Sequence, residues 1–221
     1  MASTPYTDHV HAQKQRNPCL ENLYLFLTES ISRNPSKISC LEFTGENEGP
    51  ARHDLDMASL SSLLKFLTVD GCDHDPSPNA NELQGRILLI EDPTKEVIEA
   101  LGSQLDIDPL FFASHIHGPV VTANTSKPSM VTLPSEIAKQ NFLNLNYHRV
   151  LEFGDDSKAL RRLYSDDNVQ RKVMLLPSMR NTRIGLAQRC CSVLKTSTRQ
   201  GWLGERYVSF LFFQFRVVLM A

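Results

Sequence analysis

The 221-residue chain has a single tryptophan and no apolar run long enough to cross a bilayer. A spanning helix needs roughly 18–20 continuous apolar residues. Its five cysteines, Cys19, Cys40, Cys72, Cys190 and Cys191, make an odd set without a Cys-x-x-Cys pair. That spacing excludes the common zinc and thiol-redox motifs. The opening Met1-Ala-Ser-Thr-Pro-Tyr-Thr-Asp8 lacks the basic and apolar regions of a secretory signal. A reducing, cytoplasmic setting is therefore expected, and the sequon at Asn124 is read as chance. There is no P-loop, Gly-x-Gly-x-x-Gly, Gly-x-Ser-x-Gly or His-Glu-x-x-His. No catalytic residue and no cofactor-binding residue is assigned, and the chain is not expected to be an enzyme.

What is present suits a globular domain. An apolar share of 41% can fill a sizeable core, and the length fits one domain on a prior of about 100–200 residues. The formal charge of −2 hides an asymmetry. Residues 1–110 carry 8 Lys+Arg against 18 Asp+Glu, a net −10, and residues 111–221 carry 15 against 7, a net +8. Opposed or solvated faces within one fold account for this; the sharper alternative is an acidic surface that attracts cations.

Residues 1–18 are polar, end at Pro18 and are expected to be a disordered lead-in. Leu20, Leu23, Phe26, Leu27 and Ile31 recur at helical spacing, predicting an amphipathic helix over 19–32 that Pro35 ends. Residues 38–43 alternate as a strand, and 45–50 are a polar loop. Met57, Leu60, Leu63, Leu64 and Leu67 mark a second helix over 56–68. The Pro- and Asp-rich stretch 69–84 is a loop. Arg86-Ile-Leu-Leu-Ile-Glu-Asp92 reads as a buried strand. Asp92-Pro93 then opens a helix, with Asp92 as cap, whose apolar face is Val97, Ile98, Leu101 and Leu105. Asp108-Pro109 repeats the start signal, and Leu110, Phe111, Phe112 and Ile116 follow. Residues 118–134 are expected to be exposed. Strands are predicted at 142–153, 169–176 and 183–194, with a short basic helix at 157–164. The sum is a mixed α/β domain with its strands gathered late.

The run Leu101-Gly102-Ser103-Gln104-Leu105-Asp106-Ile107-Asp108-Pro109-Leu110 resembles the turn between two helices in the cytoplasmic domain of CorA-like divalent-cation transporters. The continuation Phe111-Phe-Ala-Ser-His-Ile116 is similar to the fungal branch. Weaker likeness runs through Tyr147–Phe153, Arg171–Pro177 and Arg183–Ser192 to Trp202-Leu-Gly204. The resemblance implies a sheet sandwiched between helical layers, magnesium sensing, and assembly around a fivefold axis.

The family's stalk, its two membrane helices and its Gly-Met-Asn pore motif are absent from this chain. The expectation is a truncated domain that does not itself transport. It would be largely monomeric, with weak self-association or transporter subunits as its protein partners and no nucleic acid. The alternatives are a stand-alone interaction domain docking onto full-length transporters, or a non-functional truncated product. The domain is placed at 19–204. The tail from 205 departs from the family and gathers five of the chain's seventeen aromatics between Tyr207 and Phe215. It reads either as a final buried strand or as a translated intron, with Gly204-Glu205 encoded at a splice donor.

Cofactors are expected to be none, apart from weak regulatory magnesium, and the metal ligands are unknown. Asp70-Gly-Cys-Asp-His-Asp75 lacks a closing glutamate, so a solvated acidic loop explains it better than a metal site. His115 and His117 are expected at a helix end or surface, where a cation suits the dipole. Asp108 is a helix cap, and the transferred magnesium role settles on neither it nor Asp106. Arg161, Arg162, Arg171 and Lys172 could touch phosphate, but they lack interleaved aromatics, and surface charge explains them. Of Cys190 and Cys191, one should face the core and the other away.

Overall fold

A computed structural model describes residues 5–44, 49–68, 83–116, 141–153, 167–169, 173–177, 183–199 and 205–213. The helices are α1 (Pro5–Lys14), α2 (Glu21–Glu29), α3 (Met57–Thr68), α4 (Lys95–Leu105) and α5 (Pro109–Ile116). The strands are β1 (Lys37–Thr44), β2 (Ala51–Leu55), β3 (Leu83–Glu91), β4 (Phe142–Phe153), β5 (Val173–Leu175), β6 (Arg183–Arg199) and β7 (Glu205–Phe213). The fold is mixed α/β.

The strands form one sheet in the order β2-β1-β3-β7-β6-β4, with β5 beside β6. β3 and β7 run parallel, from Gly85↔Tyr207 to Glu91↔Phe213. The other pairings are antiparallel. Opposed residues share a face of a sheet. The register therefore puts Ile38 and Cys40 of β1, Leu88 and Ile90 of β3, Leu194 of β6 and Phe142 of β4 on one face. All six are buried, and every described helix adds side chains to their cluster. The opposite face carries Leu41, Ile87, Leu89 and Val193 half-buried, and Leu143 and Leu145 exposed. Among the described residues the helices make one layer; the second layer that the resemblance implies has no element there.

Several expectations need correction. The lead-in is not disordered over 5–14, because α1 buries Tyr6 and Val10. Its free N-terminal amides are capped from a distance. Glu99 of α4 accepts the Tyr6 and Thr7 N–H groups at 2.8 and 3.0 Å, and the Thr7 hydroxyl at 2.7 Å. No local signal encodes that cap. Ile31, assigned to the apolar face of the helix over 19–32, lies beyond its end and is 82% exposed. Strand β2 was not anticipated, because its side chains are largely exposed and give no alternation. Of the strand expected over 169–176, residues 173–175 form β5, Val169 sits in a bend, and 170–172 fall outside the described residues. The segment 205–213 forms a strand in the interior of the sheet between β3 and β6. The acidic loop 70–75, His117, the stretches 118–134 and 157–164, and Arg161, Arg162, Arg171 and Lys172 fall outside the described residues.

Gly102 is needed because α1 crosses α4 there. A Cβ on Gly102 would lie 2.6 Å from three atoms of the Tyr6 ring. That ring is pinned by its hydroxyl, which donates to the Ile107 carbonyl at 3.0 Å. Alanine is favoured over glycine in a helix by about 1 kcal/mol, but overpacking costs about 1–3 kcal/mol. Gly102→Ala should therefore destabilise the protein and expose Tyr6. Urea denaturation with tyrosine fluorescence checks this; a more stable variant contradicts the packing.

Candidate functional site

Strand β3 ends at Glu91, and the chain turns at Asp92 with φ of 51°. A short polar side chain tolerates this left-handed conformation better than most. Asp92 was expected to cap α4, but Thr94 does so: its hydroxyl accepts the Val97 N–H at 3.4 Å. The turn at Asp92 sends its carboxylate to a different partner. Oδ1 accepts the Asn168 backbone N–H at 2.7 Å. The Asp92 carbonyl accepts from Asn168 Nδ2 at 3.0 Å and from the Ser36 hydroxyl at 3.1 Å.

Asn168 is the hub of this junction. Its Oδ1 accepts the Arg33 and Asn34 N–H groups at 2.7 and 3.1 Å. Its Nδ2 also donates to the Asn34 carbonyl at 2.9 Å. The segment 167–169 is thereby bound to the loop before β1 and to the end of β3. One residue earlier, Asp167 Oδ2 accepts from Arg189 Nη1 at 2.6 Å, and both side chains are shut from solvent.

The electrostatics are unbalanced. Asp92 is 5% exposed and Asp167 0%. Asp92 Oδ2 and Asp167 Oδ1 are buried without a hydrogen-bond partner. Burial, with the neighbouring Asp167 charge adding to it, pushes the Asp92 carboxyl up to about 6, against the hydrogen bonds from the 168 and 169 amides. The junction lies at the carboxyl end of the one parallel pair among the described strands, the end where open α/β sheets place their ligand sites. A buried, strained and perturbed carboxyl there marks a candidate functional group.

A second buried polar cluster lies beneath α5. His115 was expected at a helix end or surface, but it is fully buried, with Nδ1 2.7 Å from the Ser192 hydroxyl. It is buried because α5 lies over β4 and β6, which turn this side chain into the sheet face. Ser192 Oγ donates to Asn144 Oδ1 and lies 3.5 Å from Cys190 Sγ.

The remaining expected residues are scattered. Asp108 caps α5 as expected, accepting the Leu110 N–H at 2.9 Å. Asp106 closes α4 in the left-handed conformation. Cys190 points into the core and Cys191 is half-buried, matching the expected opposition. Among the described residues no three His, Cys, Asp or Glu side chains group to hold a metal ion. No described helix is long and apolar enough to cross a membrane.

Asp167, Asn168, Arg189 and Ser192 were not anticipated. Arg189 did carry a signal: it sits inside the apolar run Ile184-Gly-Leu-Ala-Gln-Arg-Cys-Cys191, where a buried charge requires a partner. No family model matches the chain, and no curated protein matches it.

Proposed function

We propose that this chain is a non-catalytic regulatory domain that responds to divalent cation, similar to the soluble domain of CorA-like magnesium transporters. The observation that carries the reading is the β3–α4–α5 unit. The quoted turn joins two helices: Asp106 ends α4 in a left-handed conformation, and Asp108-Pro109 starts α5. Leu101 and Ile107 bury on either side of that turn. The resemblance rests on the order of these pieces, and the contribution of all three to one core supports it. Magnesium is a hard cation that takes carboxylate oxygens and water, and the acidic half of the chain supplies carboxylates. On this reading the domain is cytoplasmic and its partners are transporter subunits.

Magnesium should stabilise the folded protein. For a dissociation constant of about 1 mM, 10 mM magnesium would add about 1.4 kcal/mol by mass action. The measurement is a thermal melt in magnesium chloride against potassium chloride of equal ionic strength. Equal melting temperatures would sink the cation reading.

A second reading, an interaction domain that docks onto full-length transporters, is favoured by β4. This strand ends the described sheet and exposes Leu143, Leu145 and Val150. A long apolar edge strand is a template for pairing with another chain. Retention of a CorA-like transporter subunit on the immobilised protein, lost on Leu145→Lys, would favour it.

A further inference from the structure

We propose that Asp92 and Asp167 form a proton-linked latch, in which a proton held on Asp92 fastens segment 167–169 to the carboxyl end of β3 and its loss loosens that segment. The proposal stands apart from the cation reading. It starts from a count of donors. An ionised carboxylate only accepts hydrogen bonds. Asp92 Oδ1 has the Asn168 amide and Asp167 Oδ2 has Arg189. The other oxygen of each is buried with no hydrogen-bond partner, and the Val169 amide and the Asn34 side chain near the Asp92 carboxyl offset only part of the cost of its burial. Arg189 is committed to Asp167, and among the described residues no cation acts appreciably on Asp92, so an ionised Asp92 is buried without a counter-charge, where desolvated charge is costly.

A proton on Asp92 cancels that charge and turns one acceptor-only oxygen into a donor. It leaves the Asn168 contacts in place, because they use Oδ1 and the backbone carbonyl of Asp92. A divalent cation fits less well. It would sit beside the Arg189 guanidinium, which already holds Asp167 at 2.6 Å.

Among the described side chains, the charged groups on the packed elements are Arg33 before β1, Lys37 and Glu42 on β1, Arg86 and Glu91 on β3, Lys95, Glu96 and Glu99 on α4, Asp167 on the docked segment, and Arg189 and Lys195 on β6. Lys37 is paired with Glu91 at 3.8 Å on the surface. Of all these, only Asp167 acts appreciably on Asp92 through its charge.

The direction follows from linkage. Asp92 holds its proton in the folded state up to about 6, against an ordinary 3.8. Between those values the folded state binds more protons than the unfolded. The stabilisation is complete below the ordinary value and is lost as pH rises through about 6. The latch is therefore fastened in mild acid and loosened at neutral pH.

Carbon-13 carboxyl NMR of the whole chain, with amide hydrogen exchange at Asn168, tests this. Asp92 should titrate near 6. The Asn168 protection factor, corrected for intrinsic exchange, should fall about tenfold between pH 5 and pH 7.5. Asp92→Asn keeps the tolerated backbone conformation and copies the protonated form, so its protection should not change over that range. A native Asp92 that titrates near the ordinary carboxyl value overturns the latch. So does Asn168 protection that stays flat in the native chain, or a tenfold fall that persists in Asp92→Asn. If the variant does not fold, the native titration and exchange decide alone.

Discussion

Arg189→Met is expected to lower folding stability by about 3–5 kcal/mol, because it strands the Asp167 carboxylate in a site with no solvent. The pair is 2.6 Å apart, with side chains 1% and 0% exposed. Removing one member leaves the desolvation cost of the other uncompensated. A domain of this size loses about 2–4 °C of melting temperature per kcal/mol. The drop should be roughly 10 °C, a large share of a total stability of about 5–15 kcal/mol. The double variant Arg189→Met/Asp167→Leu should recover most of it, since apolar replacement of a buried ion pair is often neutral or better. Chemical denaturation of the native, single and double forms makes a double-mutant cycle. A loss under about 1 kcal/mol for Arg189→Met would mean that water reaches the pair and that the junction is open.

Phe111→Ala should cost a similar amount, about 3–5 kcal/mol, by the different route of an unfilled cavity. Phe111 is fully buried. Its ring meets Phe112 edge-on at 5.0 Å and Phe142 at 5.5 Å. The second contact fastens α5 to β4. Phe111→Leu keeps part of that volume and should lose much less. Leu145→Ala, at a side chain 52% exposed, should change stability by no more than about 0.5 kcal/mol. Equal losses at Phe111 and Leu145 in urea denaturation would contradict the placement of the core on the helical face of the sheet.

These two sites differ in how visible they are along the chain. Phe111 announces itself: two aromatics follow a proline helix start, in register with Leu110 and Ile116. The same periodicity reveals α3 through Leu60, Leu64 and Leu67, α4 through Val97, Ile98 and Leu101, and β3 through Ile87 to Ile90. These signals are local, because burial of one face imposes a repeat of 3.6 or 2 on neighbouring residues. Arg189 offers only half a message. A charge inside an apolar strand demands a partner, but nothing nearby says that the partner is Asp167, 22 residues earlier.

The candidate site depends almost wholly on such distant contacts. Asp92 has the sequence of a helix cap, and Asp92-Pro93 would serve as one if the local signal decided. Instead Thr94 caps α4, and Asp92 binds the Asn168 amide 76 residues away. Asn168 in turn holds the loop at Asn34, across 134 residues. His115 looked like a helix-end cation and became a buried partner of Ser192, because β6 closes over α5 from 77 residues along the chain.

By itself, then, the sequence determined the mixed α/β class, the presence of β3, α4 and α5, the extents of α3 and β4, and the opposed faces of Cys190 and Cys191, although β3 begins at Leu83, inside the expected loop. Each of these follows from spacing within a dozen residues or so. Tertiary structure alone decided the rest. It gave α1 a cap from Glu99 and a seat on Gly102. It seated β7, the last described strand, between β3 and β6, and it brought two carboxylates and one arginine into the same dry junction. The physical reason is the same throughout. A residue's periodicity reports which side is buried, whereas the identity of what buries it is set by packing between segments far apart in the chain.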